Sequence, residues 1–110
     1  MNANPILIID DDLDDLDLMK QAFRELEVKN EIIAFTNGLM FLTFMAETPT
    51  KPFFILCDMN LNSINGLELK RRISADERLR LKCIPFLIYS TSRAAPSIIE
   101  AYSYNVLCNR

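Results

Sequence analysis

Three short apolar runs each end in an oxygen-bearing side chain: Ile6-Leu7-Ile8-Ile9 leads into Asp10-Asp11-Asp12, Phe53-Phe54-Ile55-Leu56-Cys57 into Asp58, and Pro85-Phe86-Leu87-Ile88-Tyr89 into Ser90. As neighbouring parallel strands, these runs bring the carboxylates and the hydroxyl to one edge of a sheet. That edge, at the carboxyl ends of the strands, is where open α/β sheets place their ligands. An oxygen-only donor set suits a hard cation and a phosphoryl group. Histidine and tryptophan are absent, which excludes a Ser-His-Asp triad, a Cys-His pair and any imidazole metal ligand. Chemistry in this chain runs on carboxylates, hydroxyls, amides and lysines.

The six aspartates between Asp10 and Asp17 have two plainer explanations. Acidic residues in a first helical turn stabilise the helix dipole by about 0.3 to 1 kcal/mol each, so Asp12, Asp14 and Asp15 read as capping and solvation. Asp10 and Asp11 differ, because they precede the helix and terminate a buried strand. An EF-hand loop with Asp10, Asp12 and Asp14 at alternating positions fails. Its sixth place holds Asp15 instead of Gly, and its twelfth holds Gln21 instead of Glu. Asp58 alone reads equally well as a solvated strand terminus.

The elements that position these residues alternate between continuous apolar runs and helical spacing, the mark of an α/β chain. After the first strand, Leu13, Leu16, Met19, Phe23 and Leu26 recur at steps of three or four. They predict a helix from Leu13 to Glu27, N-capped by Asp12, with Lys20, Arg24 and Glu27 on its wet face. Glu31 to Thr36 is the second strand, and Asn37-Gly38 opens a helix bearing Leu39, Met40, Leu42, Phe44 and Met45. Pro49 and Pro52 close it before the strand to Asp58. Gly66, Leu67, Leu69, Ile73 and Ala75 predict a third helix ending near Asp76, and the charged segment Glu77 to Lys82 reads as a connection. Strand four runs from Ile84 to Tyr89, a loop covers 91–95, and Pro96 stands at the first position of a helix over 97–102. Asn105 is a candidate C-cap before Val106-Leu107-Cys108, the opening of a fifth strand.

Buried strands joined by helical crossovers, which are right-handed almost without exception, give a doubly wound parallel sheet. In the flavodoxin-like order 2-1-3-4-5, strands one and three meet at the switch point. Asp10 and Asp11 then face Asp58 across that crevice, with Ser90 on the far flank. We expect residues 1–110 to form a single domain, C-terminally incomplete, with strand five unfinished and the last helix absent. The exposed sheet edge is a liability, and the expected state is a monomer or weak homodimer.

Half of the 110 residues are hydrophobic and 25% charged, a globular profile. A net charge of -3 gives no general attraction to nucleic acid or anionic membrane. The cluster Lys70, Arg71, Arg72 and then Arg78, Arg80, Lys82 reads as a solvated helix face and the turn after it. Cys57, Cys83 and Cys108 lack CxxC spacing and read as reduced thiols of a cytoplasmic protein. No apolar run approaches the roughly 20 residues that span a bilayer.

The joint pattern resembles the receiver domain of two-component response regulators. An acidic pair follows the first strand, Asp58-Met59-Asn60-Leu61 with Gly66 downstream follows the third, and a hydroxyl follows the fourth. The resemblance implies a stand-alone, chemotaxis-regulator-like receiver that accepts a phosphoryl group on Asp58. It implies Mg²⁺ held by Asp11 directly, by Asp10 directly or through water, by Asp58, and by the backbone carbonyl of Asn60. Ser90 corresponds to the hydroxyl that reaches the phosphoryl group. Such transfer needs in-line positioning and charge stabilisation instead of a strong base, and the resemblance implies that the donor histidine belongs to a sensor histidine kinase or histidine phosphotransfer protein. By the same resemblance, transfer and loss of the phosphoryl group are expected to be self-catalysed, without the turnover of an ordinary enzyme. Movement of Ser90 would shift the loop over 91–95 and the helix beyond it, with a downstream protein reading residues 92–104.

The chain departs from the family pattern at its end. The family's lysine would fall just past Arg110, Asn109 stands where an aromatic switch residue is common, and Asn62 replaces a frequent proline. Two other functions fit parts of the pattern. A receiver that only binds partners fits the missing lysine. A phosphatase of the haloacid-dehalogenase type also uses a strand-terminal aspartate and Mg²⁺, but its second aspartate would stand where Asn60 does.

Overall fold

The computed structural model describes residues 4–62, 64–83 and 85–90 and the backbone of 107–108. Among these, the chain runs β1 (Ile6–Ile9), α1 (Leu13–Glu25), β2 (Ile32–Phe35), α2 (Gly38–Glu47), β3 (Phe54–Asp58), α3 (Gly66–Ala75), α4 (Glu77–Lys82), β4 (Phe86–Tyr89) and β5 (Leu107–Cys108). The sheet order is β2-β1-β3-β4-β5. β1 pairs in parallel with β2 (Ile6 with Ile32 through Ile9 with Phe35) and with β3 (Ile6 with Phe54 through Ile9 with Cys57). β3 pairs in parallel with β4, from Ile55 with Phe86 to Asp58 with Tyr89.

All four residues of β1 are buried because both faces of the sheet are covered. Strand side chains alternate faces, and the core divides accordingly. Ile6 and Ile8 pack with Leu16, Met19 and Phe23 of α1. Leu7 and Ile9 join Phe41 and Met45 of α2, Leu69 and Ile73 of α3, and Phe86 and Ile88 of β4 on the other side. Cys57 and Cys83 are free and buried in that second layer.

The predicted Asp12 cap is present, accepting from the amides of Asp14 and Asp15, and Asn37, where the sequence opens the second helix, caps α2 by accepting from the amide of Met40. The first helix is shorter than its periodicity predicts, ending at Glu25 instead of Glu27. Glu27 adopts a left-handed backbone, φ 59°. The amides of Glu27 and Val28 reach back to the carbonyls of Arg24 and Phe23, both at 3.0 Å, which closes a Schellman motif with glutamate in the position glycine usually takes. Leu13 and Leu26, expected on the packing face, are 65% and 74% exposed, because they flank the contact line that Leu16, Met19 and Phe23 make with the sheet.

The segment Glu77 to Lys82 is a helix, α4, and not the connection its charge suggests. Asp76 caps it by accepting from the amides of Arg78 and Leu79 at 3.0 and 3.1 Å. Leu79 packs on the core, and Lys82 Nζ donates to the carbonyls of Met45 and Thr48 at the end of α2. Six residues are too few to show a period. The Asp76 cap and the basic last turn were the available signal.

The expected strand order holds, but β5 runs antiparallel to β4, pairing Leu87 with Cys108 and Ile88 with Leu107. Two residues of ladder carry little energy to select a direction. The expected loop over 91–95, the helix over 97–102, the Asn105 cap and the comparisons at Asn109 and Arg110 lie outside the described residues.

Candidate functional site

Asp10 continues β1 by one more rung, its amide donating to the Phe35 carbonyl at 3.0 Å. This places its side chain at the sheet edge but inside the protein, at 0% exposure. Both of its oxygens are engaged. Oδ1 accepts from the Asp12 amide at 2.9 Å, and Oδ2 accepts from the Tyr89 hydroxyl at 2.6 Å. Asp11, the next residue, is half-buried and begins the turn into α1.

Asp58 is the last residue of β3 and 5% exposed. Its Oδ1 accepts from the amide of Asn60 at 3.0 Å. The loop behind it is held closely: the Met59 amide donates to the Tyr89 carbonyl at 2.7 Å, and the Gly66 amide to the Met59 carbonyl at 2.8 Å. Ser90 follows β4 directly, and its Oγ accepts from the Asn60 side-chain amide at 3.2 Å. The residues singled out from the sequence thus form one connected edge.

Asp10, Asp11 and Asp58 each offer a carboxylate oxygen, and these atoms lie within 4.8 Å of one another. Asp11 and Asp58 line an open cleft of about 510 Å³ whose rim includes Asp12, Asp14, Asp15, Asn60 and Asn62, while Asp10 is buried and is not part of its lining. Among the described residues the ion pairs join Glu68 to Arg71 and Arg72, so no lysine or arginine there neutralises the three carboxylates. Burial pushes the carboxyl of Asp10 above the ordinary range, opposed by the Tyr89 and Asp12 hydrogen bonds and reinforced by the charges of Asp58 and Asp11. Burial likewise raises Asp58, opposed by the Asn60 amide and reinforced by Asp11 and Asp15. Three crowded carboxylates form a hard, all-oxygen donor set, and a divalent cation fits that chemistry.

Sequence reasoning missed Tyr89. In the sequence it stands only as the end of an apolar run, and its one signal is a phenol in the last strand position before Ser90. Asp14 and Asp15, on the cleft rim, donate their backbone amides to Asp12 Oδ1 at 2.9 and 3.3 Å, so Asp12 is the cap of α1. No helix among the described residues is long and apolar enough to cross a membrane.

A family model described as the response regulator receiver domain matches residues 6–107. The response regulator Rcp1 of Synechocystis is 28% identical over 114 residues, covering 96% of this chain and 76% of the relative. Among solved structures, the bacteriophytochrome response regulator AtBRR superposes with a TM-score of 0.74 at 25% identity, over 94% of this chain and 77% of that one. The Mn²⁺-bound form of Rcp1 superposes with a TM-score of 0.69 at 24% identity, over 91% and 74% of the two chains.

Proposed function

Because the chain belongs to the response regulator receiver domain family of two-component signalling, we propose that it accepts a phosphoryl group on Asp58 from a phosphohistidine of a sensor kinase or histidine phosphotransfer protein. The observation that carries this reading is the convergence of the Asp10, Asp11 and Asp58 carboxylates within 4.8 Å at the ends of β1 and β3. An Asp58 oxygen attacks the phosphorus as the phosphorus–nitrogen bond of the donor breaks, and the imidazole leaves with its electron pair. The Asn60 amide, 3.0 Å from Asp58 Oδ1, fixes the rotation of the nucleophile. Ser90 accepts from Asn60 through its oxygen, so its own proton stays available to a phosphoryl oxygen. No general base is required, since such a transfer depends on alignment and charge stabilisation.

The residues that would hold a divalent cation are Asp11, Asp58, the Asn60 carbonyl and Asp10. When bound, Mg²⁺ or a similar ion neutralises charge on the phosphoryl oxygens; the Mn²⁺ in the Rcp1 structure supports this cation class. The reading treats residues 1–110 as one receiver domain acting in the cytoplasm, as a monomer or weak homodimer. It contacts its kinase and a downstream protein, not nucleic acid or membrane.

The test is intact-mass spectrometry after incubation with acetyl phosphate and Mg²⁺. A labile one-phosphate gain, lost in Asp58→Asn and without Mg²⁺, is expected. Steady release of phosphate from a phosphomonoester would make the protein a phosphatase instead, and no modification together with no cation binding would reduce it to a partner-binding module.

A further inference from the structure

Tyr89 is a large buried side chain at the site to which the proposed chemistry gives no task. It is 3% exposed and stands opposite Asp58 in the β3–β4 register, immediately before Ser90. Its ring spans β3 to reach β1, where the phenol donates to Asp10 Oδ2 at 2.6 Å and lies 3.7 Å from Met19 Sδ. A hydroxyl-to-carboxylate bond this short belongs to the charge-assisted class. The other oxygen of Asp10 is held at 2.9 Å by the Asp12 amide. Together these two donors leave Asp10 no freedom to rotate within the cluster.

We infer that Tyr89 is a positioning residue of the cation site: its hydroxyl fixes the Asp10 carboxylate beside Asp11 and Asp58. The inference rests on the cation site proposed above. Carboxylate oxygens carry two lone pairs each, so Asp10 would keep acceptor capacity toward the site. Its donor strength toward the ion itself is reduced, because the phenol and the amide already draw on both oxygens. Partners that orient metal-facing carboxylates typically change metal affinity by about 10- to 100-fold when removed. The same tyrosine carries the Ser90 backbone and accepts the Met59 amide at 2.7 Å. Cation binding is thereby tied to the strand end that presents the hydroxyl.

The experiment measures Mn²⁺ binding to the full chain by electron paramagnetic resonance, with thermal stability recorded alongside. Tyr89→Phe keeps the ring and removes one oxygen, and it should weaken Mn²⁺ binding by about tenfold or more. In an Asp10→Asn background the same change should cost less than about twofold, because the carboxylate it orients is gone. Met19→Leu, which removes only the sulfur contact, should bind as the parent does. In the parent chain itself, Mg²⁺ should shift the ring-carbon resonance of Tyr89, and this shift should vanish in Asp10→Asn. A Tyr89→Phe chain that loses stability but binds Mn²⁺ within about twofold of the parent, or a Tyr89 resonance that ignores Mg²⁺, overturns the inference while leaving the phosphoryl-acceptor reading intact. A parent chain that binds no Mn²⁺ overturns both.

Discussion

Gly66 lies against the backbone of Asp58: a Cβ built on it would stand 2.9 Å from the Asp58 carbonyl oxygen and 2.9 Å from the Met59 Cα. The start of α3 is therefore pressed against the loop that carries the nucleophile, with no room for a side chain. Both neighbouring atoms are backbone, so a substituent displaces the loop. Gly66→Ala should cost about 1 to 3 kcal/mol and slow phosphoryl uptake from acetyl phosphate. Chemical denaturation and a mass-spectrometric time course measure the two effects.

Asp58→Asn should make the cation-free protein more stable at neutral pH. The folded carboxyl is raised by burial, so between its unfolded and folded pKa the native state binds more protons than the unfolded chain. Stability then falls as pH rises through that window. At pH 7 the buried Asp58 carboxyl is a net cost that the side-chain amide avoids, while the amide oxygen still accepts from the Asn60 N–H. The gain should be about 2 to 5 °C in Tm, and it should disappear below about pH 4, where the carboxyl is protonated in both states.

Divalent cation should offset the same repulsion. At 100 times its dissociation constant, Mg²⁺ should add about 2.7 kcal/mol to the unfolding free energy by mass action. The increment should vanish with a chelator and in Asp11→Asn. Acidification should also erase it, since burial raises the carboxyls of Asp10 and Asp58 and protonation removes their charge.

Glu27→Gly should stabilise the protein by about 0.5 to 1 kcal/mol. Glu27 holds the left-handed position of the Schellman turn, where a side chain costs roughly 1 to 2 kcal/mol and glycine avoids this at some cost in chain entropy. Phosphoryl uptake should be unchanged, because this turn lies at the end of α1 remote from Asp58. A paired denaturation and phosphorylation assay checks both halves.

Lys82→Met should lose about 1 to 3 kcal/mol. The ammonium donates at 2.5 and 2.7 Å to the carbonyls of Met45 and Thr48, which lie at the negative end of α2. Cation binding should not change, since this contact is on the far side of the core from the acidic cleft. Urea midpoints compared with Mn²⁺ titrations separate the two.

The parallel core was legible because buried strands declare themselves as unbroken apolar runs, and Asp12, Asn37 and Gly66 mark helix starts in the residue types themselves. Where the sequence misled, a local rule met a tertiary contact. Charge disguised α4, whose helix is secured by the reach of Lys82 to α2. Apolar period extended α1 by two residues, although a left-handed glutamate ends it.

Asp10, Asp11, Asp58 and Ser90 were identifiable as a set from the sequence because each follows an apolar run, and strand direction alone delivers such residues to one edge. What only the tertiary structure decided is how they are held. Tyr89 reaches Asp10 from two strands away, and Asn60 joins Asp58 to Ser90 across the strand ends. Hydrogen bonds of this kind depend on strand spacing and side-chain direction. Those are fixed by packing on both faces of the sheet, and a linear pattern of residue types does not contain them.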